Sequence, residues 1–249
     1  MTRVFAIARV TVYGLIGRRR SLGLVLLGLV PAVILTIFGL SEPDRETEEF
    51  FRVGILPMVL GVSVPITALI LGAASLGDER QQKTISYITM RPIRREAIAA
   101  AKLAAAWLSS FLIAGFGALV TGVVFGWTTG SWDEIPAFLI ATGITTLGFV
   151  AVFQVVGFIT DRAVIIGLGY LLVWEGIVTG AASQVSTTSL WRIGASAYAG
   201  IQTEGVADLE NLLSGVNPGV WGAAAKVVVL VLISVAVTGY LMRDRDLVR

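Results

Sequence analysis

Residues 54–77 read GILPMVLGVSVPITALILGAASLG, and residues 78–102, which follow at once, read DERQQKTISYITMRPIRREAIAAAK. The first stretch is uncharged, whereas the second contains nine charged side chains, six of them basic. Residues 103–125 are again uncharged. A basic segment between two long apolar runs is typical of a cytoplasmic loop that joins two membrane-spanning helices.

The composition of the whole chain agrees with this interpretation. Hydrophobic residues make up 55% of the sequence and charged residues only 14%, whereas a soluble domain has about 25% charged residues. Six apolar runs are close to or above the roughly 20 residues that a helix needs to cross a bilayer, and a helix satisfies its own backbone polar groups there. We therefore predict an all-α, multi-pass membrane protein that forms a single domain over residues 1–249, with six transmembrane helices at about 22–40, 54–77, 103–125, 135–159, 163–182 and 222–242.

The placement of Lys and Arg predicts the orientation of these spans. Most of the 19 basic residues lie in residues 1–21, 78–102, 160–162 and 243–249. Since cytoplasmic segments are enriched in Lys and Arg, we predict that both termini and residues 78–102 are cytoplasmic. The acidic loop 41–52 and the segment 183–218 are then predicted to face outward. The first apolar run is long for a signal peptide and no small-residue cleavage site follows it, so we expect it to be retained.

The absence of two residue types excludes several kinds of site. With no His and no Cys, the chain lacks the usual ligands of zinc and iron–sulfur centres and the imidazole base of most nucleophilic triads. None of its lysines follows a glycine, so the Gly-Lys pair of the ATPase phosphate-binding loop is missing. We predict no catalytic residue, no metal site and no cofactor. The excess of basic residues is explained by topology rather than by nucleic-acid binding.

Residues 78–102 contain a predicted short helix. Thr84 is a suitable N-cap residue, and Pro92 ends the helical pattern because a residue that precedes proline is disfavoured in the helical region. We expect a helix over residues 84–90, parallel to the membrane and flanked by basic residues. An ordinary basic loop without a partner is the alternative. The apolar edge of the helix is formed by Ile85, Tyr87 and Ile88.

The same segment resembles the region between the second and third helices of ABC-2 type transporter permeases. In that family an acidic residue is followed by Gly-Thr, a hydrophobic helix, a proline, an aliphatic residue, a basic residue and, further on, a lysine. Lys83 stands where the family has glycine, so the sequence departs from the pattern there. The six spans, the cytoplasmic N-terminus and the length of 249 residues extend the resemblance over the whole chain. The matching residues are Glu79, Thr84, Ile85, Ile88, Pro92, Ile93, Arg94 and Lys102.

The resemblance implies how the chain would work. Residues 84–90 would be a coupling helix that docks into a cleft of a cytoplasmic ATPase subunit, which binds ATP and Mg²⁺. Residues 4–17 would form a connecting helix at the inner membrane surface, although the residues alone also fit a basic anchor before the first span. Residues 183–218 would contain re-entrant or capping helices between the fifth and sixth spans. The expected contacts of the ATPase are Glu79, Arg80, Thr84, Ile85, Tyr87, Ile88, Arg91, Pro92 and Arg94.

The resemblance also implies an assembly and a location. Two copies of the ABC ATPase subunit and a second permease subunit, in a homodimer or heterodimer, would complete an exporter in the plasma membrane of a prokaryote. The chain itself would be the non-catalytic permease domain. From the residues alone, a secondary transporter or channel without an ATPase partner is the alternative, although we would expect it to carry several buried charges or paired broken helices. A structural or sensory membrane subunit is a third alternative.

Glu175 is the acidic residue that lies well inside a predicted span. At about 1.5 Å per residue from residue 163, it lies slightly beyond the middle of the bilayer, where a carboxyl group is costly and suggests a function. One interpretation is that Glu175 lines a translocation path and favours cationic or hydrogen-bonding cargo. The other is that it is protonated or bonded to a neighbour, such as Gln184, Ser63 or Thr67.

Overall fold

The computed structural model describes residues 2–17, 20–41, 44–81, 94–179, 185–202, 209, 213 and 217–244. Within these ranges the chain is helical nearly throughout and has no strand, which confirms the predicted all-α class. The helices are α1 (Thr2–Ile16), α2 (Arg20–Gly39), α3 (44–81), α4 (Arg95–Thr129), α5 (Glu134–Ile159), α6 (Ala163–Val178), α7 (Leu190–Ala199) and α8 (Gly219–Asp244). A short 3₁₀ turn, Ser186–Thr188, precedes α7.

Five helical stretches in the described part of the chain are long and apolar enough to cross a membrane, and they correspond to five of the six predicted spans. The predicted fifth span, 163–182, is the shorter apolar helix α6, and residues 180–184 lie outside the described ranges. The predicted interfacial segment 4–17 is helical as α1. Its position at the membrane surface and the cytoplasmic placement of both termini stay predictions. The five long stretches are Ser21–Gly39, Glu46–Gln81, Arg95–Thr129, Glu134–Ile159 and Gly219–Arg243.

The prediction of an acidic loop over residues 41–52 was wrong, because the chain is helical from residue 44 onward. The acidic composition suggested a solvated loop. However, Glu48 and Arg52 are spaced four residues apart, and their side chains approach to 3.7 Å, which is an arrangement that supports a helix. The Arg52 side chain is only 12% exposed, and it also contacts the buried Glu134.

The helix of the third predicted span begins at Arg95, before the apolar run 103–125. Residues 95–102, which belong to the charged segment 78–102, form its first two turns, as expected if the charged end of this span is also helical. Within these turns, Lys102 is paired with Glu79 of α3.

Helix α3 contains two π-helical segments, Phe51–Ile55 and Val59–Ser63. The first segment includes Val53, which lies four positions before Pro57. The second segment includes Gly61, which lies four positions before Pro65. The ring of a proline within a helix clashes with the carbonyl group of the residue four positions earlier. The wider π-helical turn therefore accommodates each proline without ending the helix.

The helices pack as a bundle in which α3 lies along α5, and α2 lies along α4. Two glycines permit especially close approach. A Cβ atom added to Gly157 of α5 would overlap the backbone of Ala73 in α3, and one added to Gly117 of α4 would overlap the backbone of Gly28 in α2. Small residues at such crossings let membrane helices pack backbone against backbone.

The bundle has two ends, and charged side chains are paired at both of them. The coupling end comprises the C-terminal ends of α3, α5 and α8 together with the N-terminal end of α4, and charged side chains cluster there. The far end is the opposite one, where α4 ends and α5 begins. Trp127 and Trp221, both at the far end, are 83% and 87% exposed. Exposed tryptophans of this kind are enriched where a protein meets the membrane–water interface.

Candidate functional site

A buried ion pair joins the two helices that flank residues 82–93. Glu79 lies in the last turn of α3 and Lys102 lies near the start of α4, and Nζ of Lys102 donates a hydrogen bond to Oε1 of Glu79. The Lys102 side chain is 4% exposed and that of Glu79 is 25% exposed. Because a buried charge is costly unless it is paired, each residue holds the other in place. The pair therefore fixes the distance between the two helix ends that bear segment 82–93.

Arg80 attaches the end of α3 to the end of α5. Its Nη1 donates to the carbonyl oxygen of Phe158 at 2.9 Å, and its Nη2 lies 3.6 Å from Oδ1 of Asp161. The last carbonyl groups of a helix have no partner within the helix, so a guanidinium group is a favourable donor to them. We predicted Arg80 as a contact of the ATPase. In the structure its side chain is 24% exposed and bonds to its own bundle.

Two further bonds attach the start of α4 to the last turns of α8. Arg95 donates from Nη1 to the carbonyl oxygen of Met242 at 2.9 Å. Arg243 in turn donates from Nη2 to Oε1 of Glu96 at 2.5 Å. Each helix thus supplies an arginine to the other, and the N-terminal end of α4 cannot shift along α8 without breaking both contacts.

These contacts together form what we call the coupling base. It is defined by the pair Glu79–Lys102, the Arg80 contacts to α5, and the Arg95 and Glu96 contacts to α8. Through it, the two ends of segment 82–93 are connected to α3, α4, α5 and α8.

A cleft of about 220 Å³ lies beside the coupling base, between α3 and the turn from α5 to α6. Its inner wall consists of apolar and glycine residues of α3, α5 and α6. Its polar rim consists of Asp78, Gln81, Thr160 and Asp161. The cleft opens at the same end of the bundle as segment 82–93.

Of the predicted ATPase contacts, Glu79, Arg80 and Arg94 belong to the described residues. Arg94 is exposed and directly precedes α4, where its carbonyl oxygen accepts a hydrogen bond from the backbone N–H of Ile98 at 3.2 Å. The predicted coupling helix lies outside the described residues, and the role of all nine residues in binding an ATPase stays a prediction. The contacts in that undescribed segment are Thr84, Ile85, Tyr87, Ile88, Arg91 and Pro92.

Sequence reasoning did not predict the bonds of the coupling base. One signal was present, because Lys102 directly precedes the uncharged stretch 103–125 and a lysine buried at such a position requires a partner of opposite charge. Glu79 and Lys102 also both belong to the residues that match the family pattern. The contacts of Arg95 and Glu96 with α8 have no comparable signal, since they join residues 147 positions apart.

Glu175 lies in the π-helical part of α6, Leu171–Val178, and is 6% exposed. Its Oε1 accepts hydrogen bonds from the Tyr170 hydroxyl at 3.1 Å and from the backbone N–H of Leu190 at 3.0 Å. Its Oε2 accepts a hydrogen bond from the Ser189 hydroxyl at 2.6 Å. The carboxylate thereby caps the N-terminal end of α7, where backbone N–H groups lack helical partners.

One of the partners that we expected for Glu175 bonds elsewhere, and another is not tested. The Thr67 hydroxyl donates instead to the carbonyl oxygen of Ser63 at 2.8 Å, and Gln184 lies outside the described residues. The nearer partners were missed because they become neighbours only when α7 folds back against α6. A role of Glu175 in a translocation path stays a prediction.

A second buried carboxylate, which sequence reasoning also missed, holds the opposite end of α7. Glu134, the first residue of α5, is 3% exposed. Its Oε1 accepts a hydrogen bond from Nη2 of Arg52 at 2.9 Å, and its Oε2 accepts one from the hydroxyl of the fully buried Tyr198. Burial, reinforced by the negative charge of Glu134, raises the pKa of Tyr198, so the phenol stays protonated and donates.

Comparison with known proteins supports the resemblance found in the sequence. A protein-family model described as ABC-2 family transporter protein matches residues 18–174, which is more than half of the chain's 249 residues. A search of curated proteins found no match. The matched region includes segment 82–93 and every residue of the coupling base except those of α8. Proteins of the matched family are generally non-catalytic transmembrane subunits that associate with an ABC ATPase. The chain therefore belongs to the ABC-2 family of transporter proteins.

Proposed function

We propose that this chain is the membrane-spanning permease subunit of an ATP-driven exporter in the plasma membrane of a prokaryote. It carries out no chemistry of its own. A separate ABC ATPase subunit, present in two copies with ATP and Mg²⁺, supplies the energy. A second permease subunit, identical or similar, completes the pathway for the cargo.

The observation that carries this proposal is the coupling base. A segment that only connects two spans needs no rigid attachment at both ends. Here, a buried ion pair ties the two flanking helices together, and arginines attach those helices to α5 and α8. Such a base suits a segment that receives force from outside the membrane and passes it to the spans.

The mechanism follows from these attachments. Closure of the two ATPase subunits around ATP displaces segment 82–93, and the paired ends of α3 and α4 move as one body. The Arg80 contacts and the Arg95 contacts carry that movement to α5 and α8. Apolar residues of the segment, Ile85 and Ile88, supply contact area with the ATPase, while its basic residues orient the encounter through salt-dependent attraction.

Association with an ATPase tests this proposal. The chain is expressed together with candidate ABC ATPase subunits from the same genome and purified in lipid nanodiscs, and ATP hydrolysis and subunit composition are measured. We expect one ATPase to remain bound, and we expect the double variant Ile85→Asp, Ile88→Asp to lose it. Ser41→Asp, an exposed position at the far end, is the control and should retain it. A transport-competent preparation without any ATPase, or unchanged binding by the double variant, would contradict the proposal.

A further inference from the structure

Helix α7 is held at both ends by buried carboxylates that belong to different helices. At its N-terminal end, Glu175 of α6 accepts hydrogen bonds from Ser189 and Leu190. At its C-terminal end, Tyr198 donates to Glu134 of α5. All residues of this helix from Arg192 to Ala199 are buried, and so is Leu190, whereas Trp191 is half-buried. Its position is therefore set by contacts within the protein, which are the packing against α5 and α8 and the polar bonds at its ends.

Helix α7 fits closely against α5. A Cβ atom added to Gly194 would overlap the side chain of Thr145, so the threonine fills the space that a larger residue at position 194 would occupy. Ala195, Ala197 and Tyr198 are fully buried. This packing and the bonds at the helix ends together hold α7 in place.

The C-terminal attachment of α7 also includes α3. The Glu134 carboxylate bonds to both α7 and α3, because Oε2 accepts a hydrogen bond from Tyr198 and Oε1 accepts one from Nη2 of Arg52 at 2.9 Å. Arg52 lies in the first π-helical segment of α3, Phe51–Ile55. At about 1.5 Å per residue, the same helix reaches Arg80 of the coupling base roughly 40 Å away. One continuous helix thus connects the coupling base to the carboxylate that holds α7.

We propose that Arg52, Glu134 and Tyr198 form a latch through which the position of α3 controls the position of α7. While Arg52 is bonded to Glu134, the carboxylate is oriented to receive the Tyr198 hydroxyl. When α3 moves at the coupling base, Arg52 is withdrawn and Glu134 follows its positive charge. The bond to Tyr198 then breaks, and α7 is released from the far end of the bundle. The second half of this inference, control by the coupling base, rests on the proposed function.

Because the chain has no cysteine, a single introduced cysteine can report on the release of α7. Ser196→Cys places a thiol on α7 at a fully buried position, where the serine hydroxyl donates to the carbonyl oxygen of Ile193 in the same helix. Ser109→Cys gives a matched reporter in α4, equally buried and bonded to Ala105. The rate of labelling by a membrane-impermeant maleimide is measured for each reporter in the full chain in lipid nanodiscs, without nucleotide.

Three variants break the latch, and one control does not. Arg52→Gln, Glu134→Gln and Tyr198→Phe should each raise the labelling rate at position 196 by about tenfold or more, as expected for the loss of a buried hydrogen bond to a charged group. Glu49→Gln, an exposed carboxylate of α3 at the same end, should leave it unchanged. Labelling at position 109 should stay constant in all four. Unchanged labelling at position 196, or an equal rise at both reporters, would overturn the latch.

A second arm tests the connection to the coupling base. In the complex with the ATPase, a non-hydrolysable ATP analogue should change labelling at position 196, and Arg52→Gln should abolish this response. A nucleotide response that persists in Arg52→Gln, or none in the unaltered complex, would overturn control of α7 by α3. Failure of the proposed function would be seen separately, because no ATPase would be bound at all, and the first arm would still report on the latch.

Discussion

Glu79 and Lys102 are 23 residues apart in the chain and form a hydrogen-bonded ion pair at the base of segment 82–93. The lysine is nearly inaccessible, whereas the carboxylate is a quarter exposed. Two helices that would otherwise be joined only by their connecting segment are thereby fastened together. This fastening gives the segment a rigid base, and the function that we propose depends on that rigidity.

Removing one partner of this pair should be costly. Lys102→Met removes the buried cation that bonds to the Glu79 carboxylate, and we expect the free energy of unfolding to fall by about 3 kcal/mol. The double variant Glu79→Gln, Lys102→Met should recover most of that loss because both charges of the pair are then absent. Denaturant unfolding in nanodiscs or mild detergent measures both changes. Arg94→Gln, at an exposed neighbouring position, is the control. Its free energy of unfolding should stay within about 0.5 kcal/mol of the wild-type value. A single variant as stable as the control would contradict the structural importance of the pair.

The crossing of α3 and α5 should tolerate no side chain at Gly157. Even Gly157→Ala would drive a methyl group into the backbone of Ala73, and a backbone cannot rotate away as a side chain can. We expect a loss of about 1–3 kcal/mol, seen as a lower midpoint in thermal unfolding. Gly169→Ala provides the comparison, because a Cβ atom there meets nothing within 4 Å. Equal effects of the two substitutions would show that the close crossing does not contribute to stability.

Tyr198 should resist ionisation in the folded protein. Its pKa is raised above the ordinary value of 10.0 by burial first and by Glu134 second. The stabilisation that this represents is complete below pH 10 and is lost as the pH rises further, because the unfolded chain then ionises its phenol before the folded chain does. Between pH 10 and 11, native wild type and Tyr198→Phe should therefore show the same phenolate absorbance at 295 nm. In denaturant the wild type should carry about half a phenolate more than Tyr198→Phe at pH 10 and about nine-tenths of one more at pH 11. A native difference of the same size would contradict the buried hydrogen bond.

Glu175 should control the N-terminal end of α7. In Glu175→Gln, an amide N–H₂ group replaces one acceptor oxygen and faces donors, so the cap is weakened. We expect hydrogen exchange in the peptide containing Leu190 to accelerate by about tenfold. Thr179→Val, which alters a hydroxyl in the same turn without touching the carboxylate, should not have this effect. Unchanged exchange in Glu175→Gln would show that the carboxylate is not needed as a cap, and would favour its predicted role in a translocation path.

The sequence predicts those parts of the fold that are formed by long, uninterrupted runs of apolar residues. Apolar runs such as 54–77 and 135–159 specify helices because about 20 consecutive residues contribute the same signal. The prediction of a loop at 41–52 was wrong because it relied on the high content of acidic residues, which suggested a solvated loop. The structure of this segment depends instead on an i, i+4 pair, Glu48 and Arg52, and on a partner far along the chain, Glu134.

The candidate sites depend on contacts that no local pattern contains. The bond between Arg52 and Glu134 joins residues 82 positions apart. Arg and Glu usually lie at the protein surface, so neither residue alone indicates that it is buried and paired. Glu175 could be recognised as unusual from its place in an apolar run. Its partners could not, since Ser189 and Leu190 approach it only through the turn that precedes α7. A single sequence therefore points to residues that need partners, and the fold supplies the partners.

The proposed function is tested most directly by finding the side of the membrane on which segment 82–93 lies. Ser86→Cys and Ser41→Cys give single thiols at the coupling end and the far end of this cysteine-free chain. Both are labelled with a membrane-impermeant maleimide, first in intact cells and then after permeabilisation. We expect position 41 to react in intact cells and position 86 to react only after permeabilisation. Labelling of position 86 in intact cells would place the segment outside, where no ATPase could reach it, and would contradict the proposed function.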